Sequence, residues 1–246
     1  MKKLYDKSKL WFAIIWITVY CVLMSVGDAL SEAVGTQKLI TLPIALMLST
    51  ILIVFLLRNK LLDTYGLCRS KTPAGKMLYY LPILLMLTAN LWYGMNLNCS
   101  VVETVLYILT MFFVGFLEEV IFRGLLFNAM RKDNVKAAII VSSITFGIGH
   151  IINLFNGSGA ELLPNLLQVI YATAAGFMFV MIYYKTESLL VCIGAHGLFN
   201  ALSVFSNESV QTVQTRILSC VLLTVITGTY AVYLALMKKN EYKNII

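Results

Sequence analysis

Both histidines of this 246-residue chain, His150 and His196, fall inside long apolar runs. A third such run, Val101 to Phe127, carries Glu118, Glu119 and Arg123. Ionisable groups are expensive inside an apolar membrane helix and mark function there, so chemistry is expected at these five residues. A carboxylate and an imidazole can polarise one water, with the carboxylate as general base. An imidazole and an amide can both donate to an oxyanion, and Asn200 follows His196 by one helical turn. Glu119 and Arg123 are also four apart, so they share a helical face and can pair, which makes the arginine's burial tolerable. Phe146 stands in the same relation to His150. Gly147 and Gly149 lie beside the first histidine, Gly194 and Gly197 beside the second. Small residues let membrane helices approach closely, and convergence of the polar side chains into one site is the expectation.

The elements that must position these groups are membrane helices. The chain is 59% hydrophobic and 13% charged, with a mean hydropathy of +0.83, whereas a soluble domain carries about 25% charged residues. Apolar runs near the roughly 20 residues that cross a bilayer recur along the whole sequence. They are too long and too evenly apolar for barrel strands, so an all-α polytopic bundle of about eight helices is predicted. The runs are Leu10–Val26, Leu39–Leu57, Met77–Tyr93, Val101–Phe127, Ala137–Phe155, Leu166–Tyr184, Leu189–Phe205 and Ile217–Met237. The first follows a basic segment as a signal peptide would, but its length and the seven runs after it make it a retained helix. No repeat, low-complexity tract or second domain is visible, and residues 1–246 read as one membrane domain.

The net charge of +7 does not point to nucleic acid, because the basic residues lie in short segments between runs. Alternate segments hold Lys2 to Lys9, Arg58 to Lys76, Arg131 to Lys136, Lys185, and Lys238 to Lys243; the intervening ones hold Asp28, Glu32, Glu161 and Glu208. The positive-inside rule then puts both termini in the cytosol. Counting residues from the helix ends places the polar groups in the cytosolic half of the membrane, with water expected to arrive from that side. Sequons at Asn98, Asn156 and Asn207 fall in the opposite segments, as Asn- and Ser-rich loops commonly do.

At the motif level the chain resembles a known family. Glu118-Glu119-Val120-Ile121-Phe122-Arg123-Gly124 is similar to its EExxxR motif, Phe146-Gly147-Ile148-Gly149-His150 to FxxxH, and His196-Gly197-Leu198-Phe199-Asn200 to HxxxN. The family is the CAAX prenyl endopeptidases with their bacterial Abi-type, bacteriocin-processing relatives, and the resemblance covers about Met111 to Ala201. It implies hydrolysis of a peptide bond in or near the membrane by an intramembrane protease; the short chain and its short loops suggest a bacterial plasma membrane. The substrate would be a membrane-associated peptide, a prenylated protein or a pro-peptide, and the protein's other partner would be membrane lipid. Glu118 and His150 are assigned to the water, His196 and Asn200 to the oxyanion, Glu119 with Arg123 to a supporting pair, and Phe146 to support of His150. The two glutamates could exchange roles.

No cofactor is expected, although the family has been described as metalloprotease-like. Glu118, His150 and His196 would supply zinc with three ligands and an open water position, but nothing resembles HExxH. Cys21, Cys68, Cys99, Cys192 and Cys220 are scattered without a CxxC pair. Cys192 lies four residues before His196, so a Cys–His dyad is geometrically open, although apolar helices commonly use cysteine as filler. Gly157-Ser158-Gly159 falls in a polar loop, and a GxGD aspartate motif is absent. A transporter would predict repeated or interrupted helices. A non-catalytic bacteriocin-immunity or accessory protein of the same fold is the alternative function.

Overall fold

The computed structural model describes residues 1–78, 80–156 and 160–237; Gly157-Ser158-Gly159 therefore lies outside the described residues. Each of the eight apolar runs is helical. After a short helix at Lys2–Lys7, they are α1 (Lys9–Val34), α2 (Thr41–Arg58), α3 (Tyr80–Thr88), α4 (starting as Val101–Glu118), α5 (Val135–Gly149), α6 (Leu162–Thr186), α7 (Leu190–Leu202) and α8 (Val213–Leu236). Six are long and apolar enough to cross a membrane, and the stretches Leu81–Leu91 and Leu190–Phe205 are shorter. The protein is an all-α membrane bundle.

Local chemistry starts and stops these helices where the backbone needs help. Ser8 accepts the amide of Trp11 ahead of α1, and Gly35, at φ 76°, ends that helix in the left-handed conformation. Ser100 and Glu103 form a capping box at α4, Asn134 caps α5, and Thr212 with Thr215 caps α8. Each cap satisfies amides that would otherwise be orphaned near lipid. The outward faces carry exposed Leu and Val, such as Leu84, Val221 and Val232, as a bilayer solvent requires.

At its C-terminal end α4 changes character. Residues Glu119–Phe127 form a π-helical stretch, all of them buried, before α-helix resumes at Asn128–Met130. Widened turns of this kind recur at functional sites. This stretch packs against α1 and α5, while the first part of α4 lies against α2 and α7, and α6 is held between α5 and α8. Two crossings are set by glycine. A Cβ on Gly115 would sit 2.6 Å from the amide nitrogen of Gly197, so α4 and α7 touch backbone to backbone. A Cβ on Gly147 would come within 2.9 Å of Thr173 Cα, closing α5 on α6. Gly149 and Gly194 meet nothing within 4 Å, so close approach uses one glycine beside each histidine rather than two.

Candidate active site

Adjacent residues on a helix diverge in direction, and the two glutamates do so here. Glu118 lines a cavity of about 350 Å³ together with His150, His196 and Asn200. Glu119 is fully buried behind that wall. Its Oε1 lies 3.1 Å from Nη1 of Arg123, one turn on, and both side chains are wholly inaccessible. Among the described residues Glu119 Oε2 and Arg123 Nε and Nη2 have no hydrogen-bond partner. The guanidinium is instead laid on the ring of Phe146, 4.0 Å from its centroid, a desolvated cation–π contact.

His196 joins the two carboxylates. Its Nδ1 is 2.9 Å from Glu119 Oε1, and its Nε2 is 3.3 Å from Glu118 Oε2. The ring is held by stacking on Phe179 at 5.6 Å and by the edge of Phe146 at 5.5 Å. Phe146 also meets His150 edge-on at 5.1 Å and Phe122 at 5.5 Å. One phenyl ring thus touches both histidines and the arginine.

His150 does not sit within an unbroken helix. α5 ends at Gly149 and tightens into a 3-10 turn, His150–Leu154. Asn165 of α6 donates to the His150 carbonyl at 2.8 Å, which takes over an acceptor that a continuing helix would have used. The ring's Nδ1 faces the Phe146 carbonyl at 3.1 Å. That contact selects the Nδ1–H tautomer and leaves Nε2 as an acceptor. Asn200 reaches the cavity from the turn after His196, and its own carbonyl accepts from Ser203 Oγ at 2.6 Å where α7 tightens to a close.

One contributor came without any sequence signal. Tyr20 of α1, otherwise an ordinary aromatic in an apolar run, donates its hydroxyl to Glu118 Oε1 at 2.8 Å. Both oxygens of Glu118 are therefore engaged, one by Tyr20 and one by His196. Cys192, by contrast, is buried and directs its thiol at the Phe179 carbonyl, and it is not among the residues lining the cavity. From Glu118 the cavity extends past Asp28, Lys38, Asn153 and Gln168.

Among the described residues no three His, Cys, Asp or Glu are grouped to hold a metal ion. Both nitrogens of His196 already face carboxylates, so a metal would have to displace Glu118 or Glu119 from the ring. The residues as arranged do not fit a three-ligand zinc site.

Residues 99–202 match the family described as type II CAAX prenyl endopeptidase Rce1-like. The resemblance carried by the three motifs is thereby shown for this segment. The Rce1-like segment holds α4 to α7, and so Glu118, Glu119, Arg123, Phe146, His150, His196 and Asn200, while Tyr20 lies outside it. A relative, "Putative membrane peptidase YdiL" of Bacillus subtilis (strain 168), is 35% identical over 89 residues, which is 36% of this chain and 31% of the relative. The chain thus matches under a third of that protein's length. No solved structure matches at a significant level.

Proposed function

We propose that this protein is an intramembrane endopeptidase that hydrolyses a peptide bond of a membrane-associated protein or peptide, using a water activated by Glu118 and His150. The observation that carries this reading is the arrangement at the cavity floor, where Glu118 is fixed by Tyr20 and His196 while His150 and Asn200 line the same space. The Rce1-like match and a relative named as a membrane peptidase support it. The volume, about 350 Å³, is at the lower end of the roughly 300–1,000 Å³ typical of ligand sites.

The water donates one proton toward Glu118 and its other to His150 Nε2, the nitrogen left as acceptor. Glu118 takes its proton, and the oxygen bonds to the carbonyl carbon as the carbonyl pair moves to its oxygen. Asn200 donates its amide N–H to that oxyanion. His196 faces two carboxylates, and only an imidazolium offers each of them an N–H. In that form Glu118, Glu119, Arg123 and His196 sum to zero charge, which suits a site where uncompensated charge is costly. A protonated Glu118 holds the His196 Nε2–H less strongly, so this donor turns to the oxyanion as the oxyanion forms. Collapse expels the amine, which takes the proton from Glu118; the remaining hydroxyl proton passes by way of His150 Nε2 to the amine, so the products leave as an ammonium and a carboxylate. Glu119 and Arg123 touch no substrate and act by positioning His196. Charge partition between the two ends of the bundle supports a plasma-membrane orientation with both termini cytosolic.

The test compares membrane-associated peptides in cells expressing wild type, Glu118→Gln or Glu119→Gln. Glu118→Gln should remove a cleavage product while inserted protein remains at its normal level. Unchanged products in both variants would overturn the assignment.

A further inference from the structure

We infer that Asn165 of α6 is a positioning residue for His150, fixing the end of α5 from which the imidazole reaches the cavity. The inference deepens the peptidase reading and rests on it for the use made of the ring, but not for the contact itself.

α5 stops where its histidine begins. The helix ends at Gly149, and His150–Leu154 winds on as a tighter 3-10 turn. Peptide groups at such a junction look for partners outside their own helix. Asn165 supplies one, its Nδ2 donating to the His150 carbonyl at 2.8 Å. One turn further along α6, Gln168 Oε1 accepts from Asn153 Nδ2 at 3.3 Å. α6 therefore grips the turn at its first and fourth residues. Three residues before His150, Gly147 presses α5 onto α6 at Thr173. The backbone that carries His150 is thus pinned on both sides, by a glycine crossing behind it and by an amide at its own carbonyl. The ring depends on that backbone. Its Nδ1 meets the Phe146 carbonyl at 3.1 Å, a separation kept only while the last turn of α5 keeps its shape. That contact in turn selects the tautomer whose Nε2 can accept from water.

The rest of the Asn165 side chain gains little from its place. The residue is 2% exposed, and among the described residues its Oδ1 has no hydrogen-bond partner. An unpaired buried acceptor is unfavourable, and a leucine would fill similar space without one. Nor does Asn165 serve its own helix. α6 starts after Glu161 without a side-chain cap, while the Asn165 amide crosses to α5 instead. The N–H on the His150 carbonyl is what an amide adds here.

The chain has two histidines, so nitrogen-15 histidine labelling of the full-length protein in lipid bilayers gives one pair of ring signals from each. Solid-state NMR near pH 8, above the roughly 6.5 of a free imidazole, reads the tautomers, and His196→Gln identifies the His150 pair by difference. Wild type should show His150 with a protonated Nδ1 and a bare Nε2. Asn165→Leu should turn that pair into a mixture of both tautomers and leave the His196 pair unchanged. The initial rate of forming the product that Glu118→Gln removes should fall roughly 10- to 100-fold, as misplacement of a reacting group by about 1 Å does. Asn165→Ser, whose hydroxyl is too short to span the contact, carries the same test if the leucine variant does not insert. An unchanged His150 pair in an inserted variant overturns the inference. So does a change in both histidines together, which would make Asn165 a general packing residue, and so does an undiminished rate beside a changed tautomer. Because the tautomer is read without cleavage, a His150 change in a protein that cleaves nothing would sink the peptidase reading and leave the hold of Asn165 on His150 standing.

Discussion

Arg123→Met removes the guanidinium facing Glu119 while keeping most of the side chain's volume, so its cost reports electrostatics rather than a void. Breaking a buried ion pair from one side costs about 3–5 kcal/mol, because the remaining charge stays buried. Two features of this site lower that figure. Glu119 keeps His196 Nδ1 at 2.9 Å, and the pair lies within one helix, so a chain that is inserted but unfolded already holds it. A loss of about 2–3 kcal/mol is expected, roughly a 30- to 160-fold fall in the folding equilibrium. The cycle is completed by Glu119→Gln and the double variant. If the penalty is an uncompensated carboxylate, Glu119→Gln/Arg123→Met should recover about half or more of the loss, with a coupling energy of about 1–3 kcal/mol. Activity should stay low in the double variant, because His196 has lost its anionic partner. The assay is SDS titration of the purified full chain in mixed micelles, read by the fluorescence of its three tryptophans. A cost below about 0.5 kcal/mol for Arg123→Met, or a double variant as unstable as the two singles summed, would refute this account of the pair.

Tyr20→Phe deletes the donor 2.8 Å from Glu118 Oε1 without altering ring packing. A hydrogen bond to a charged group is worth about 1.5–3 kcal/mol, so kcat should fall by about 13- to 160-fold at unchanged KM; an unaltered kcat would remove Tyr20 from the site. Gly197→Val places new carbon against Phe112, whose Cα is 3.2 Å from the first added atom. It should cost about 1–3 kcal/mol as overpacking does, whereas Gly194→Ala, with open space around it, should be silent in the same titration. Prolonged strong chelation should leave purified enzyme active, with zinc well below one per chain; a stoichiometric zinc whose return restores activity would overturn the metal-free mechanism and leave the peptidase reading in place.

The sequence carried the membrane class and the positions of the eight helices, because bilayer burial writes itself as uninterrupted apolar length. It also carried the i, i+4 relation of Glu119 to Arg123, which needs no tertiary knowledge. Features that depend on neighbours were illegible. Nothing in Glu119-Val120-Ile121-Phe122-Arg123 announces a π-helical stretch, since the widened turn is stabilised by what packs around it. Tyr20 looked like any interfacial or core aromatic, and its partner is 98 residues away. Gly149 and Gly197 looked alike as flanking glycines, yet only Gly197 is pressed by another helix.

The different fates of Glu118 and Glu119 explain why two adjacent carboxylates are useful here. A single buried glutamate would have to serve both as base and as anchor for His196, and each proton taken from water would loosen the imidazole when the oxyanion needs it. Dividing the work avoids that conflict. On the proposed mechanism Glu119, closed off from the cavity and paired with Arg123, anchors the ring through Nδ1. Glu118, on the cavity wall, is free to gain and lose a proton while Tyr20 holds its geometry from the opposite oxygen. Only the Nε2 contact then varies with the state of the base. An exchange of Glu118 for Gln should therefore abolish turnover with the ring still in place. Glu119→Gln should leave the base but let the ring rotate away, so the two substitutions fail by different routes despite their adjacency.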